Sequence, residues 1–376
     1  MDVLSTEIGP RTAGSEAAAK AADAIAEAFR ALELEPEVKE FPLLGYEPGE
    51  PELEVDGERY GVGPCLYAHP TAEHGVEGRL RRIGDQPRTF DGDEPAPIFA
   101  VEDEAGAELG RIYANPVYGE AIPFLAFQHL HITVGPAVFV SVSDGERLLS
   151  LERARTRLVV RGEFVPGLRD RNVLARIDGR SDEIVVASAH FDSVWRGPGA
   201  IDNASGIEAL LRVAERLAGR AHERGILLAA FGAEEIGLVG SRYFVQEAKL
   251  RGELDRIVGA VNLDCVAHGE PFELMVGPEE LRGRALELAA RFGLEDRYRL
   301  KLSAPGPGTD HYWFTQEGIP AVSVLHFPYP EYHLPSDMPD LVDERKLADA
   351  TELAVALVES QVARPVPRIR PAPSEP

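Results

Sequence analysis

The 376-residue sequence predicts an α/β fold: three α/β/α layers around a sheet with a mostly parallel centre, interrupted by an inserted, mostly β lobe. Three observations carry this expectation. From Asn172 to Val362, short apolar runs bounded by Gly alternate with stretches of helical periodicity, the texture of buried strands crossing to helices. Several of those runs deliver His, Asp or Glu at their ends, where α/β sheets gather function. Between Tyr46 and Gly162 the texture changes: Pro and Gly are frequent, β-type runs are short, and long helical periodicity is missing.

In chain order, Ala17 to Leu32 reads as an amphipathic helix, with Ala18, Ala21, Ile25 and Phe29 on one face and Ser15 as N-cap. A strand follows from Pro36 to Leu44. The lobe contributes the runs LEVDG, IFAVE, RIYAN and ITVGPAVFVSV. Strands are then expected at NVLARIDG, Ile184 to Ala189, Ile226 to Phe231, Ile257 to Leu263, Phe272 to Val276 and Pro320 to Phe327. Helices are expected at Ser205 to Ala218, Arg242 to Leu250, Glu279 to Phe292 and Asp343 to Val362. The organisation that results is 1–45 as the N-terminal part of a catalytic domain, 46–162 as the lobe, 163–363 as the rest of the catalytic domain, and 364–376 as a disordered, proline-rich tail.

Composition bounds the partners. A net charge of −24 disfavours nucleic acid and anionic membrane surfaces. Only five of the 39 basic residues are lysines, so arginine dominates. Cys65 and Cys265 lie far apart without metal-ligand spacing, as suits a reducing compartment. No apolar run reaches the roughly 18 residues that would span a bilayer, and the start of the chain lacks a signal-peptide pattern, so a cytoplasmic location is expected.

The chemistry concentrates between Glu183 and Ser241. The run EIVVASAHFDS ends in His190 and Asp192, and Asp202 comes twelve positions after His190 in a loop containing Gly197, Gly199 and Gly206. The next run ends in the adjacent pair Glu234 and Glu235, a later one in Asp264, and His333 follows the last strand by one loop. Four strands thus lead to His190, Glu235, Asp264 and, one loop further, His333, and if these strands are parallel their ends share one edge of the sheet. Imidazole and carboxylate are zinc's preferred N and O donors, and two neighbouring ions need a bridging carboxylate, for which Asp202 is the candidate. Asp192 is placed to accept the other imidazole N–H of His190. Each residue alone has a plainer reading: a loop hydrogen bond for HxD, a solvated pair for the glutamates, a cap for Asp264, core packing for His333. The four lobe histidines, His69, His74, His129 and His131, receive no function.

HFD, GAIDNASG, AEEIGLVGS, NLD and YHLPSD in this order resemble the M28 family of zinc metallopeptidases, and PRTAGSEAA resembles that family's start. The resemblance implies a zinc-exopeptidase-like sheet and two Zn²⁺ ions. His190 and Asp264 would hold one, Glu235 and His333 the other, and Asp202 would bridge them. It further implies Asp192 as the orienter of His190, Glu234 as general base, and a cis peptide between Asp202 and Asn203. GTDHYWF is similar to the family's SDHxxF with Thr309 in place of Ser, which makes Asp310 and His311 site-wall residues. Cys265 stands where the family usually has Met, a change expected to touch packing rather than ligation. Within the lobe, GPAVFVSVSDGERL resembles a protease-associated domain.

The expected activity is a co-catalytic di-zinc aminopeptidase that releases N-terminal residues from peptide substrates through a metal-bridging water activated by Glu234. Other divalent metals fit the same donors. A carboxypeptidase or dipeptidase on the same site is the alternative, with Arg196 as the one basic group in the motif loops for a substrate carboxylate. A glutaminyl-cyclase-like transferase or a non-catalytic binding protein stands further off, because the ligand set is complete.

Overall fold

The computed structural model describes residues 1–85, 96–115, 124–125 and 135–368; the side chains of 124 and 125 are outside the description, as are His129, His131 and the tail from 369. The chain divides into two compact units: Met1–Leu43 with Arg169–Pro376, and Leu44–Leu168.

In the first unit, helix α1 (Glu16–Ala31) starts where Ser15 accepts the Ala18 N–H, and it buries Ala18, Ala21, Ala22, Ile25, Ala26 and Phe29. Strand β1 (Glu37–Pro48) follows, and its last residues already belong to the second unit. The second unit contains β2 (Glu52–Val55), β3 (Glu58–Tyr60), β4 (Val62–Leu66), β5 (Val76–Asp85), β6 (Pro97–Glu102), β7 (Glu108–Ala114), β8 (Phe124–Leu125), β9 (Ala137–Val140) and β10 (Arg155–Val159). One short helix, α2 (Val142–Leu148), interrupts them, capped by Ser141. They form a nine-stranded sheet in the order β3-β2-β10-β5-β6-β7-β9-β4-β8. Its core is Leu53, Leu80, Phe99, Ile112, Phe139 and Leu158 with their neighbours.

The chain then runs through β11 (Gly162–Ile177), β12 (Ile184–His190), α3 (Gly206–Leu217), β13 (Gly225–Phe231), α4 (Val239–Leu250), β14 (Ile257–Leu263), β15 (Phe272–Gly277), α5 (Glu279–Arg291), α6 (Leu294–Arg297), β16 (Leu300–Ser303), α7 (His311–Gln316), β17 (Ala321–His326) and α8 (Glu344–Ala363). The eight-stranded sheet has the order β1-β11-β13-β12-β14-β17-β15-β16. Its four central strands, β13, β12, β14 and β17, are mutually parallel. Antiparallel pairing enters at β11 against β13 and at β15 against β17. One face packs α4 and α7, through Val245, Ala248 and Phe314, on Val186, Phe231, Ala229 and Ala260. On the other, α3 and α8 lie against each other and against β12 and β14. Parallel strands buried on both faces explain the continuous apolar runs.

Strand β16 and the short helices α6 and α7 are not among the elements expected from the sequence. Beyond α8, Arg368 donates to Asp255 at 3.0 Å and to the carbonyl of Ile257 at 2.8 Å, so the described part of the tail is held. Among the described residues no helix is long and apolar enough to cross a membrane.

Candidate metal centre

Because β12, β13, β14 and β17 run parallel, their carboxyl ends open on one edge, and each ends in a titratable side chain or leads to one through the loop that follows it. Strand β12 ends in His190. After β13, Ala233 turns at φ 56° and Glu234 and Glu235 follow. Strand β14 is followed by Asp264. The loop after β17 carries His333, itself at φ 61°.

Asp202 sits in the middle of this edge. Its Oδ1 is 3.1 Å from His190 Nε2, and its Oδ2 is 3.4 Å from His333 Nε2. His190 Nε2 also lies 3.5 Å from Asp264 Oδ1, and His333 Nε2 lies 3.0 Å from Glu235 Oε2. Glu234 Oε2 stands further back, 3.9 Å from His190 Nε2. The structure thus brings together His190, Asp202, Glu234, Glu235, Asp264 and His333, all buried or nearly so. The Asp202–Asn203 peptide is cis.

The loop between His190 and Asp202 is shaped by close approach. Gly199 has φ +58°, and a Cβ there would fall 2.2 Å from the Asp202 carbonyl oxygen, so only glycine fits. Asp337 accepts the N–H groups of Ile201 at 2.8 Å and Asp202 at 3.1 Å. The Asn203 side chain donates to the Leu263 carbonyl at 2.9 Å, tying the loop to the end of β14.

Asp192 faces His190 Nδ1 at 3.5 Å, but its shorter contacts go elsewhere. Its carboxylate accepts the N–H groups of Glu234 at 3.0 Å and Glu235 at 3.2 Å. It therefore fixes the backbone of the glutamate pair as well as facing the imidazole. Asp310 is fully buried and accepts from the Ser241 hydroxyl, and Cys265 Sγ donates to Asp264 Oδ1 at 3.3 Å. Sequence reading assigned no role to Asp337 or Arg11, although both lie inside quoted motifs. Nothing in spacing says which loop an Asp will cap.

The electrostatics are those of crowded acids without enough counter-charge. Burial pushes the Glu235 carboxyl up to about 7, with Asp202 adding. Burial likewise carries Glu234 well above the carboxylate range; His190 opposes, and Asp264, Glu235 and Asp310 add. Burial drags the His333 imidazole down, yet Glu235 and Asp202 outweigh it and lift it to about 10. Asp202 goes the other way: burial acts upward, and the two imidazoles hold it below the usual range.

Do these donors fit zinc? Carboxylate oxygens and imidazole nitrogens converge within 4.8 Å in the sets His190–Glu234–Asp264 and His190–Asp202–Glu235. Buried Glu235 Oε1 has no hydrogen-bond partner among the described residues. An orphaned buried carboxylate oxygen in a cluster of acceptors is the chemistry of a cation site.

Comparison with known proteins agrees. The family model "Peptidase family M28" matches residues 172–358. Aminopeptidase YwaD of Bacillus subtilis is 28% identical over 96% of this chain and 83% of its own length. The structure of BSAP, a zinc aminopeptidase from Bacillus subtilis, superposes with a TM-score of 0.72 at 25% identity, covering 96% of this chain and 93% of that one. A peptidase M28 precursor from Shewanella amazonensis shares the fold, with a TM-score of 0.76 at 20% identity over 100% of this chain and 94% of its own. The parallel strand ends, the donor set they present and the matched stretch from β11 to α8 lead to one assignment: this chain belongs to peptidase family M28.

Proposed function

We propose that this zinc-dependent aminopeptidase of family M28 works with two Zn²⁺ ions. His190, Asp264 and one oxygen of Asp202 would hold the first; His333, Glu235 and the other oxygen of Asp202 would hold the second. One observation carries the reading: the two carboxylate oxygens of Asp202 face two different imidazoles, at 3.1 and 3.4 Å.

Zinc, when bound, supplies Lewis acidity toward the scissile carbonyl and makes water more acidic. Glu234 is the general base: it takes a proton from the attacking water and gives it to the leaving amine. It suits the role because it stands behind the closer acceptors and burial already raises its affinity for a proton. Asp192 keeps Glu234 and Glu235 in register through their N–H groups. The amine of a peptide's N-terminus is a cation, and acid not neutralised by metal attracts it, which favours the amino end of a substrate.

The alternative, capture of a substrate carboxylate by Arg196, is less well supported. Its guanidinium lies over the Trp195 ring, 4.1 Å from the centroid. Metal analysis tests the reading directly. Two equivalents of zinc per chain and complete loss of aminoacyl-arylamide hydrolysis on chelation are expected; one equivalent, or full activity without metal, overturns it.

A further inference from the structure

Arg11 is the only buried arginine or lysine among the described residues, and its side chain has no exposed surface. Its guanidinium makes three hydrogen bonds, all to backbone carbonyls of the loop between His190 and Asp202. Nε donates to Phe191 O, Nη1 to Pro198 O at 2.5 Å and Nη2 to Gly199 O at 2.8 Å. The backbone joins in: the Arg11 N–H donates to Ser193 Oγ at 3.1 Å, the Ser193 N–H donates to the Arg11 carbonyl at 3.4 Å, and Ser193 Oγ donates to Gly197 O at 2.8 Å. The segment bearing Arg11 is itself fixed, because the Gly14 N–H donates to Asp170 Oδ2 at 2.8 Å.

These contacts bracket two site residues. Phe191 and Ser193 flank Asp192, and Gly199 stands three before Asp202 with no room for a side chain. Arg11 grips the loop by its carbonyls, while Asp337 grips its far end by the N–H groups of Ile201 and Asp202. Burying a full charge is costly, and packing alone is served as well by an apolar side chain. What an apolar side chain cannot do is address three carbonyls from one rigid plane; nor can the compact ammonium of lysine. The charge also lies near Asp192, Asp337, Asp202 and Glu235 and offsets part of their mutual repulsion.

We infer that Arg11 is a positioning residue for the metal centre, setting Asp202 and Asp192 through the backbone of their loop. The inference rests on the reading in which Asp202 bridges two ions.

Arg11→Lys keeps the charge and removes the fork. It is expected to lower zinc affinity and kcat by about 10- to 100-fold while KM stays within about twofold, the size seen when a partner behind a metal ligand is lost. The d–d spectrum of the Co²⁺-loaded variant should differ from wild type, which a purely structural role would not require. Ser193→Ala, a milder loosening of the same loop, should move each quantity the same way by less. Circular dichroism establishes that each variant is folded. A folded Arg11→Lys with wild-type zinc titration, cobalt spectrum and kcat overturns the inference; if that variant does not fold, wild-type values in Ser193→Ala overturn it. Wild-type protein that takes up a single zinc would instead overturn the two-ion reading, and the cobalt spectra would still decide the role of Arg11.

Discussion

Between the strands of the lobe lie Leu53, Leu80, Phe99, Ile112, Phe139 and Leu158; tyrosine and cysteine aside, its buried polar side chains among the described residues are Asn115, Ser141 and Thr156. The unit with the eight-stranded sheet buries Arg11, Asp170, His190, Asp192, Asp202, Asp264, Asp310, His311, His333 and Asp337. Both units rest on large mixed sheets, so sheet architecture does not account for the difference. Burying ionisable groups costs free energy unless partners or ions offset it. Among its described residues the lobe buries no Asp, Glu, His, Lys or Arg and its core is apolar; the other unit gathers buried charge at the edge where the candidate metal centre lies.

The largest effect expected from this contrast is in turnover. Glu234→Gln should cut kcat by about 10²–10⁴-fold while zinc content stays at the wild-type level. Glu235→Gln should instead release metal. If the two variants behaved the other way round, base and ligand would exchange places.

A lobe substitution should do the opposite kind of damage. Phe139→Ala removes a fully buried ring and should cost about 3–5 kcal/mol of stability, read from denaturant unfolding. Zinc affinity per folded molecule should not change. A loss of zinc in the folded variant would show that the two kinds of burial are not separable.

The contrast also has a pH signature. In metal-free protein Glu235 is raised to about 7 and His333 to about 10. A raised folded-state value gives stability that is present at low pH and lost as pH climbs through that value. The Tm of metal-free protein should therefore fall between about pH 5 and pH 9, while zinc, which needs deprotonated ligands, stabilises more as pH rises. Differential scanning calorimetry with and without zinc should show a gap that widens with pH; a narrowing gap would contradict the charge assignment.

The smallest effect expected is at Arg196. Arg196→Ala should leave hydrolysis of free aminoacyl arylamides within about twofold of wild type, as for other exposed residues away from the chemistry. N-acetylated counterparts should resist cleavage by both proteins. Equal cleavage of blocked and free substrates would favour the carboxypeptidase or dipeptidase alternative.

Much of this was legible in the sequence. The run Ile257 to Leu263 is strand β14 to the residue, and Ser15 caps α1 as its position predicts. Strand-end placement of His190, Glu235 and Asp264 follows from period and length alone. What escaped was tertiary. That Asp192 would reach the N–H groups of Glu234 and Glu235 depends on β12 and β13 being neighbours in register, which no local pattern encodes. Arg11 looks like a surface arginine in a polar segment until the loop from Phe191 to Gly199 closes over it. The antiparallel strand β15 has the same apolar texture as its parallel neighbours, so direction was not readable there.

The parallel strand order has a consequence in time. The proposed ligands are dealt out along the chain, from His190 on β12 to His333 beyond β17, and none of the four central strands carries a complete donor set. During synthesis the chain emerges at about 5–20 residues per second. The proposed donor set stays incomplete for seconds after His190 has left the ribosome, until the loop bearing His333 has followed β17 into place beside β14. If His333 holds metal as proposed, a chain truncated before the loop that follows β17 should show no peptidase activity.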